Sequence, residues 1–197
     1  MAWSYLWTEE FDKRAKIVAE LLKGKTKGQF IIDLDCGIVS VGRYLEKDWA
    51  NYYGNDLNYE YIELSKHFNL PNSEFDNIPD HLVEPKVCDI LICLGEGAGK
   101  FTGVPLESYT IFDKIHSIIH NCVPSYVIIE SIREFEDKFK LLTKHKEFLE
   151  ERGYVTQIIP CQIEGIELKD LNYVKDRLIL FAKYAPNPSK ISDSKSL

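Results

Sequence analysis

Gly37 and Asp56 stand nineteen residues apart, and each closes a predicted strand: the β-branched run QFIIDLD before Cys36-Gly37, and NYYGND ending in Asp56. A glycine at a strand-to-helix turn lets the backbone approach a ligand closely, and the following helix N-terminus offers unpaired N–H groups. A carboxylate at the end of the next strand accepts both hydroxyls of a ribose. The separation is close to the roughly 20 residues of nucleoside-binding sheets. Other patterns fail a spacing test. Gly37 and Gly42 form G-x-x-x-x-G, whereas a nicotinamide-dependent oxidoreductase requires G-x-G-x-x-G. GEGAGK has Leu94 where a phosphate-binding loop needs glycine and Phe101 where it needs Ser or Thr. His116 and His120 lie four residues apart on a predicted helix but lack the glutamate of H-E-x-x-H, so no metal site is expected. No Ser/His/Asp or Cys/His set has a local signature.

These residues need elements to hold them. Phe11, Ala15, Val18 and Leu22 form a helical stripe that stops near Gly24. Strands are predicted at 29–35, at 51–56, near Phe75, at 87–95, at 125–132, at 154–163 and at 177–184. Helices are expected over Val39–Trp49, after an Asn58 cap, over Ser108–Cys122 and over Glu134–Arg152. Strands alternating with helices demand crossovers and a mostly parallel sheet covered on both faces. The last two strands have no helix between them, which adds an antiparallel strand. Ligands in such α/β sheets sit at the carboxyl ends of the strands, beside the topological switch point.

The chain has 197 residues, a formal net charge of −7 and 45% hydrophobic residues. That suits a single globular domain, here 1–184, with residues 1–28 as a helical lid and 185–197 as a flexible tail. The acidic balance argues against duplex DNA held by phosphate neutralisation, and nucleic acid is not the expected partner. The longest apolar runs fall far short of the ~20 residues of a membrane span. Five scattered cysteines and no signal segment point to packed thiols and a cytoplasmic location.

IIDLDCGIVSVGRYL followed by YYGNDLN resembles the first two motifs of the class I S-adenosylmethionine-dependent methyltransferases. The resemblance runs over residues 29–184. It implies a Rossmann-like three-layer sandwich with a seven-stranded sheet, mostly parallel, whose last strand is antiparallel. Asp33 matches the motif acid, Gly37 the middle glycine and Asp56 the acid that holds the ribose. VCDILICLG resembles the fourth-strand motif, with Asp89 at the usual aspartate and Leu94–Gly95 flanking the cofactor. Asp35 and Val39 stand where the first and third glycines are usual, and a Cβ at either site is expected to crowd the turn. Asp35 either opposes the cofactor's carboxylate or pairs with its ammonium or sulfonium.

The function implied is methyl transfer from S-adenosylmethionine to a small molecule. The alternatives are a non-catalytic binding protein that keeps the fold, or a nicotinamide enzyme. Residues 95–105 would border the acceptor pocket, where Glu96, Lys100 and Thr102 are the candidates to orient or deprotonate the acceptor. LGEG replaces the Asn/Asp-Pro-Pro-aromatic motif of members that methylate base or glutamine amino groups. Glu130, Ser131 and Arg133 after the fifth strand either face the pocket or, for Glu130, cap the next helix. Trp3, Tyr5 and Trp7 either form part of the lid or pack on the sheet edge.

Overall fold

The computed structural model describes residues 12–79, 82–94, 110–133, 136–137, 140–162 and 176–186. The elements in chain order are α1 (Asp12–Leu21), β1 (Phe30–Leu34), β2 (Asn51–Asn55), α2 (Tyr59–Lys66), β3 (Ser73–Asp76), β4 (Ile90–Cys93), α3 (Thr110–Cys122), β5 (Tyr126–Ile132), α4 (Leu141–Glu151), β6 (Tyr154–Gln162) and β7 (Asp176–Tyr184). All seven strands join one sheet in the order β3-β2-β1-β4-β5-β7-β6. β3, β2, β1, β4 and β5 run parallel, and β7 lies antiparallel between β5 and β6. The strand order reverses between β1 and β4, which is the switch point.

Period-two alternation divides the sheet residues between two cores. Ile31, Ile90, Ile92, Ile128 and Ile179 pack with Ala15, Val18 and Leu22. Ile32, Leu34, Leu91, Cys93, Val127 and Ile129 pack with Ile115, Ile118 and Ile119 of α3 and Leu142 and Leu149 of α4. Helices therefore cover both faces, as near-continuous apolar strands require. At the amino ends, Asp89 Oδ2 accepts the Phe30 N–H at 2.9 Å and ties β4 to β1 in register. Asp89 is thus a strand-pairing residue, remote from the carboxyl edge. A cavity at that same amino end, lined by Phe30, Asn51, Tyr53, Leu82 and Val87, is likewise remote from the edge where such sheets bind ligands.

Two expected helices differ. Residues 37–45 form a series of turns, because Val39 has φ 51° and a right-handed helix cannot continue through it. The helix expected over Glu134–Arg152 is interrupted at Lys140, φ 55°, and α4 starts only at Leu141. Glu136 reaches forward to cap it, accepting the Leu142 N–H at 2.7 Å and the Thr143 N–H at 3.2 Å. Capping there falls to Glu136, not Glu130.

Asn58 caps α2 as expected, its side chain accepting the Glu60 N–H at 2.9 Å. Asn58→Ala is expected to lower stability by about 1 kcal/mol in urea unfolding, whereas Asn58→Asp should change it by only a few tenths. An alanine variant as stable as the parent would show that the cap contributes nothing. Among the described residues no helix is long and apolar enough to cross a membrane, and the five cysteines form no disulfide.

Candidate functional site

The turn after β1 is pinned from three sides. Cys36 N–H donates to Asn55 O at 2.9 Å, Gly37 N–H to Asp56 Oδ2 at 2.9 Å, and the Ser65 hydroxyl of α2 to Gly37 O at 3.2 Å. Gly37 and Asp56 therefore meet directly across the ends of β1 and β2. The other oxygen of Asp56 accepts the Asn58 N–H at 2.7 Å. Each oxygen retains acceptor capacity, since a carboxylate offers about four lone-pair sites. Burial raises the Asp56 pKa, while the N–H groups of Asn58 and Gly37 pull it back down.

Asp35, Gly37 and Val39 all adopt left-handed backbone, with φ 56°, 57° and 51°. The alternate-glycine geometry is thus retained with two side chains added. Asp tolerates this region, but for a β-branched valine it is strained. The Val39 side chain does not crowd the turn as expected. It is buried in the α1-side core, and a Cβ added to Gly42 would come within 2.7 Å of its Cγ2. Gly42 is therefore the space that Val39 fills, which leaves it no ligand-facing role of the dinucleotide-fingerprint kind. A Cβ on Gly37, by contrast, would meet only Ser40 Oγ at 3.8 Å, so the turn is open there.

Asp33 lies at the base of this turn, buried, and its Oδ2 accepts a hydrogen bond from the Tyr52 hydroxyl. Burial pushes its pKa up to about 7, against the pull of the Tyr52 hydrogen bond and the charge of Arg14. Asp33, Asp56 and Asp35 all push the buried Cys36 thiol upward, after burial itself. Three carboxylates therefore surround one turn. Such an edge suits a cation, provided the ligand replaces the solvation that burial removes.

A second charged group stands beside it. Alternation places Asp33, Leu94 and Glu130 at the ends of strands whose preceding residues Ile31, Ile92 and Ile128 pack against α1. Glu130 is fully buried, and its Oε2 accepts from Arg14 at 2.7 Å and from Arg177 at 2.6 Å. Arg14 also donates to Leu94 O at 3.0 Å, which ties α1 to the carboxyl end of β4. Arg133 pairs instead with Asp176 at 2.7 Å, and Ser131 is buried within β5. His116 bonds His145 at 3.1 Å and stacks on Phe148, and burial lowers its pKa to about 4. Among the described residues no His, Cys, Asp and Glu group could hold a metal.

Asp33, Asp35, Gly37, Asp56 and Leu94 thus lie along the carboxyl edge of β1, β2 and β4. Gly95, Glu96, Lys100 and Thr102 lie outside the described residues, as do Trp3, Tyr5 and Trp7. Arg14, Tyr52 and Arg177 were not singled out from the sequence. The one available signal was a lone acid, Glu130, inside the apolar run YVIIESI.

No family model matches the chain, and no curated protein matches it in sequence. Solved structures do match. Magnesium protoporphyrin IX methyltransferase from Synechocystis PCC 6803, solved with bound SAM, aligns over 89% of this chain and 80% of its own, with TM-score 0.63 and 16% identity. The methyltransferase domain of bacterial CtHen1-C aligns over 90% and 100%, with TM-score 0.61 and 14% identity. An rRNA methylase from Streptococcus thermophilus aligns over 90% and 98%, with TM-score 0.58 and 11% identity. A fold shared with an rRNA methylase gives no support to setting nucleic acid aside as a partner. These likenesses and the strand order together establish that the chain has the Rossmann-like, seven-stranded fold of the class I S-adenosylmethionine-dependent methyltransferases.

Proposed function

We propose that this protein binds S-adenosylmethionine at the carboxyl ends of β1, β2 and β4 and transfers its methyl group to a small acceptor. The cofactor supplies an electrophilic methyl on a sulfonium. Asp56 would accept hydrogen bonds from the ribose hydroxyls, Gly37 would let the backbone approach, and Leu94 and Gly95 would flank the bound group. Asp33 and Asp35 would face its cationic end. Glu96, Lys100 and Thr102 remain the candidates to orient the acceptor. The observation that carries this reading is the Gly37–Asp56 hydrogen bond, which joins the two motif ends beside a turn open at Gly37.

Isothermal titration with S-adenosylmethionine and S-adenosylhomocysteine tests it. Binding of both is expected, and Asp56→Ala should weaken it by about tenfold or more, the effect of losing hydrogen bonds to a charged group. Thermal unfolding of the same variant checks that it is folded, because Asp56 also holds the Gly37 and Asn58 N–H groups. No heat at high micromolar ligand would remove the enzyme reading and leave a binding protein that keeps the fold. Heat with a nicotinamide dinucleotide instead would favour the oxidoreductase.

A further inference from the structure

Glu130 uses only half of its carboxylate. Oε2 takes both guanidinium groups, of Arg14 at 2.7 Å and Arg177 at 2.6 Å, while Oε1 is buried and has no hydrogen-bond partner. An orphaned carboxylate oxygen inside a protein is unusual, since an unmade hydrogen bond to a buried charged acceptor is expensive. Its place in the fold gives it a use. Glu130 stands one step past the β4–β5 pairing Cys93↔Ile129, and Arg14 links it to Leu94 O. This is the carboxyl edge that also carries Asp33 and the Gly37 turn. The two arginines hold Oε2 from different elements, α1 and β7, so the carboxylate is fixed before any ligand arrives.

We propose that Glu130 Oε1 is the binding point for a neutral N–H or O–H donor on the methyl acceptor: an amide, a hydroxyl, a neutral amine or a heteroaromatic N–H. The proposal rests on the methyltransferase reading above and specifies its acceptor. Neutrality follows from the charges. Two guanidiniums converge on this one carboxylate, at 2.7 and 2.6 Å. An ammonium entering beside them meets like charge, whereas a neutral donor completes the oxygen's hydrogen bonding without adding charge.

The test needs no knowledge of the acceptor. The protein is labelled with 13Cδ-glutamate, and the Glu130 carboxyl resonance is followed by NMR, with and without saturating S-adenosylhomocysteine. The resonance is assigned through Glu130→Asp and, should that variant not fold, by through-bond correlation in the unaltered chain. Acetamide should displace it saturably. N,N-dimethylacetamide has no N–H and should bind about tenfold more weakly or not at all, the difference one hydrogen bond to a charged group makes. Methylammonium should leave the resonance in place. An unmoved resonance with acetamide overturns the proposal, because a resident water then satisfies the oxygen. Equal displacement by both amides overturns it too, as does displacement by methylammonium. Calorimetry with S-adenosylhomocysteine reports separately on the methyltransferase reading. A chain that binds it but ignores acetamide loses only the Glu130 assignment.

Discussion

Glu130→Ala is expected to lower the stability of the protein by about 3–5 kcal/mol, the largest effect of any single substitution considered for this site. The loss comes from what remains. Arg14 and Arg177 are nearly buried, with side chains 14% and 10% exposed, and removing the shared carboxylate leaves two like charges together. Arg177 already bears a burial cost, its pKa lowered by desolvation and held up by Glu130. Urea unfolding at pH 7 measures the change, and hydrogen exchange should show α1 loosening first, since Arg14 is its tie to β4 and β5. Replacing all three residues together, as Arg14→Met, Glu130→Leu and Arg177→Met, should recover most of the loss, because an apolar cluster has no charges to desolvate. If the triple variant is as unstable as Glu130→Ala, the loss reflects packing and not charge.

The second large effect belongs to Asp33 and depends on pH. Its folded pKa is about 7, against 3.8 without burial, so ionising it opposes folding. The unfolded chain releases this proton near pH 4 and the folded chain only near 7. Stability from this group is therefore greatest below pH 4, falls as pH rises from 4 to 7, and is level above that. The shift corresponds to about 4 kcal/mol across that window. Asp33→Asn keeps an acceptor for the Tyr52 hydroxyl and removes the titration. Variant and parent should thus be similar in stability at pH 4, with the variant the more stable by about 4 kcal/mol at pH 8. Parallel curves across this range would mean that Asp33 is not the titrating group.

The same linkage bears on the proposed function. A cationic ligand against Asp33 favours its ionised form, so affinity for S-adenosylmethionine should rise between pH 6 and 8 in the parent and stay flat in Asp33→Asn. Stability and binding then respond to pH in opposite directions. Buried carboxylates with strongly shifted titration cluster at functional sites.

Much of the scaffold was readable from local pattern. Apolar runs marked β1, β4, β5 and β7, because strands buried on both faces must be apolar along their length, whereas β3, SEFD at the sheet edge, carries only Phe75 as a signal. The stripe Ala15, Val18 and Leu22 identified α1, and Asn58 announced α2. The break at Lys140 was not readable, since nothing local in EDKFKLL forces a left-handed residue. Nor was the loss of helix over 37–45. Helical spacing is present there, but the turn imposes left-handed φ on Val39, and Gly42 makes room for its side chain.

By itself the sequence determined the alternation of strands and helices, the glycine turn after the first strand and the acid closing the second. Each depends on neighbours within a few residues or on periodicity. Only the tertiary structure decided that Gly37 and Asp56 share a hydrogen bond, and that Val39 turns into the core and away from the open turn. It alone brought Arg14, Glu130 and Arg177 together, across separations of 116 and 47 residues. Burial is also a tertiary quantity. No local pattern reveals that Asp33 is enclosed by Tyr52 and Arg14, and that enclosure moves its titration to neutral pH.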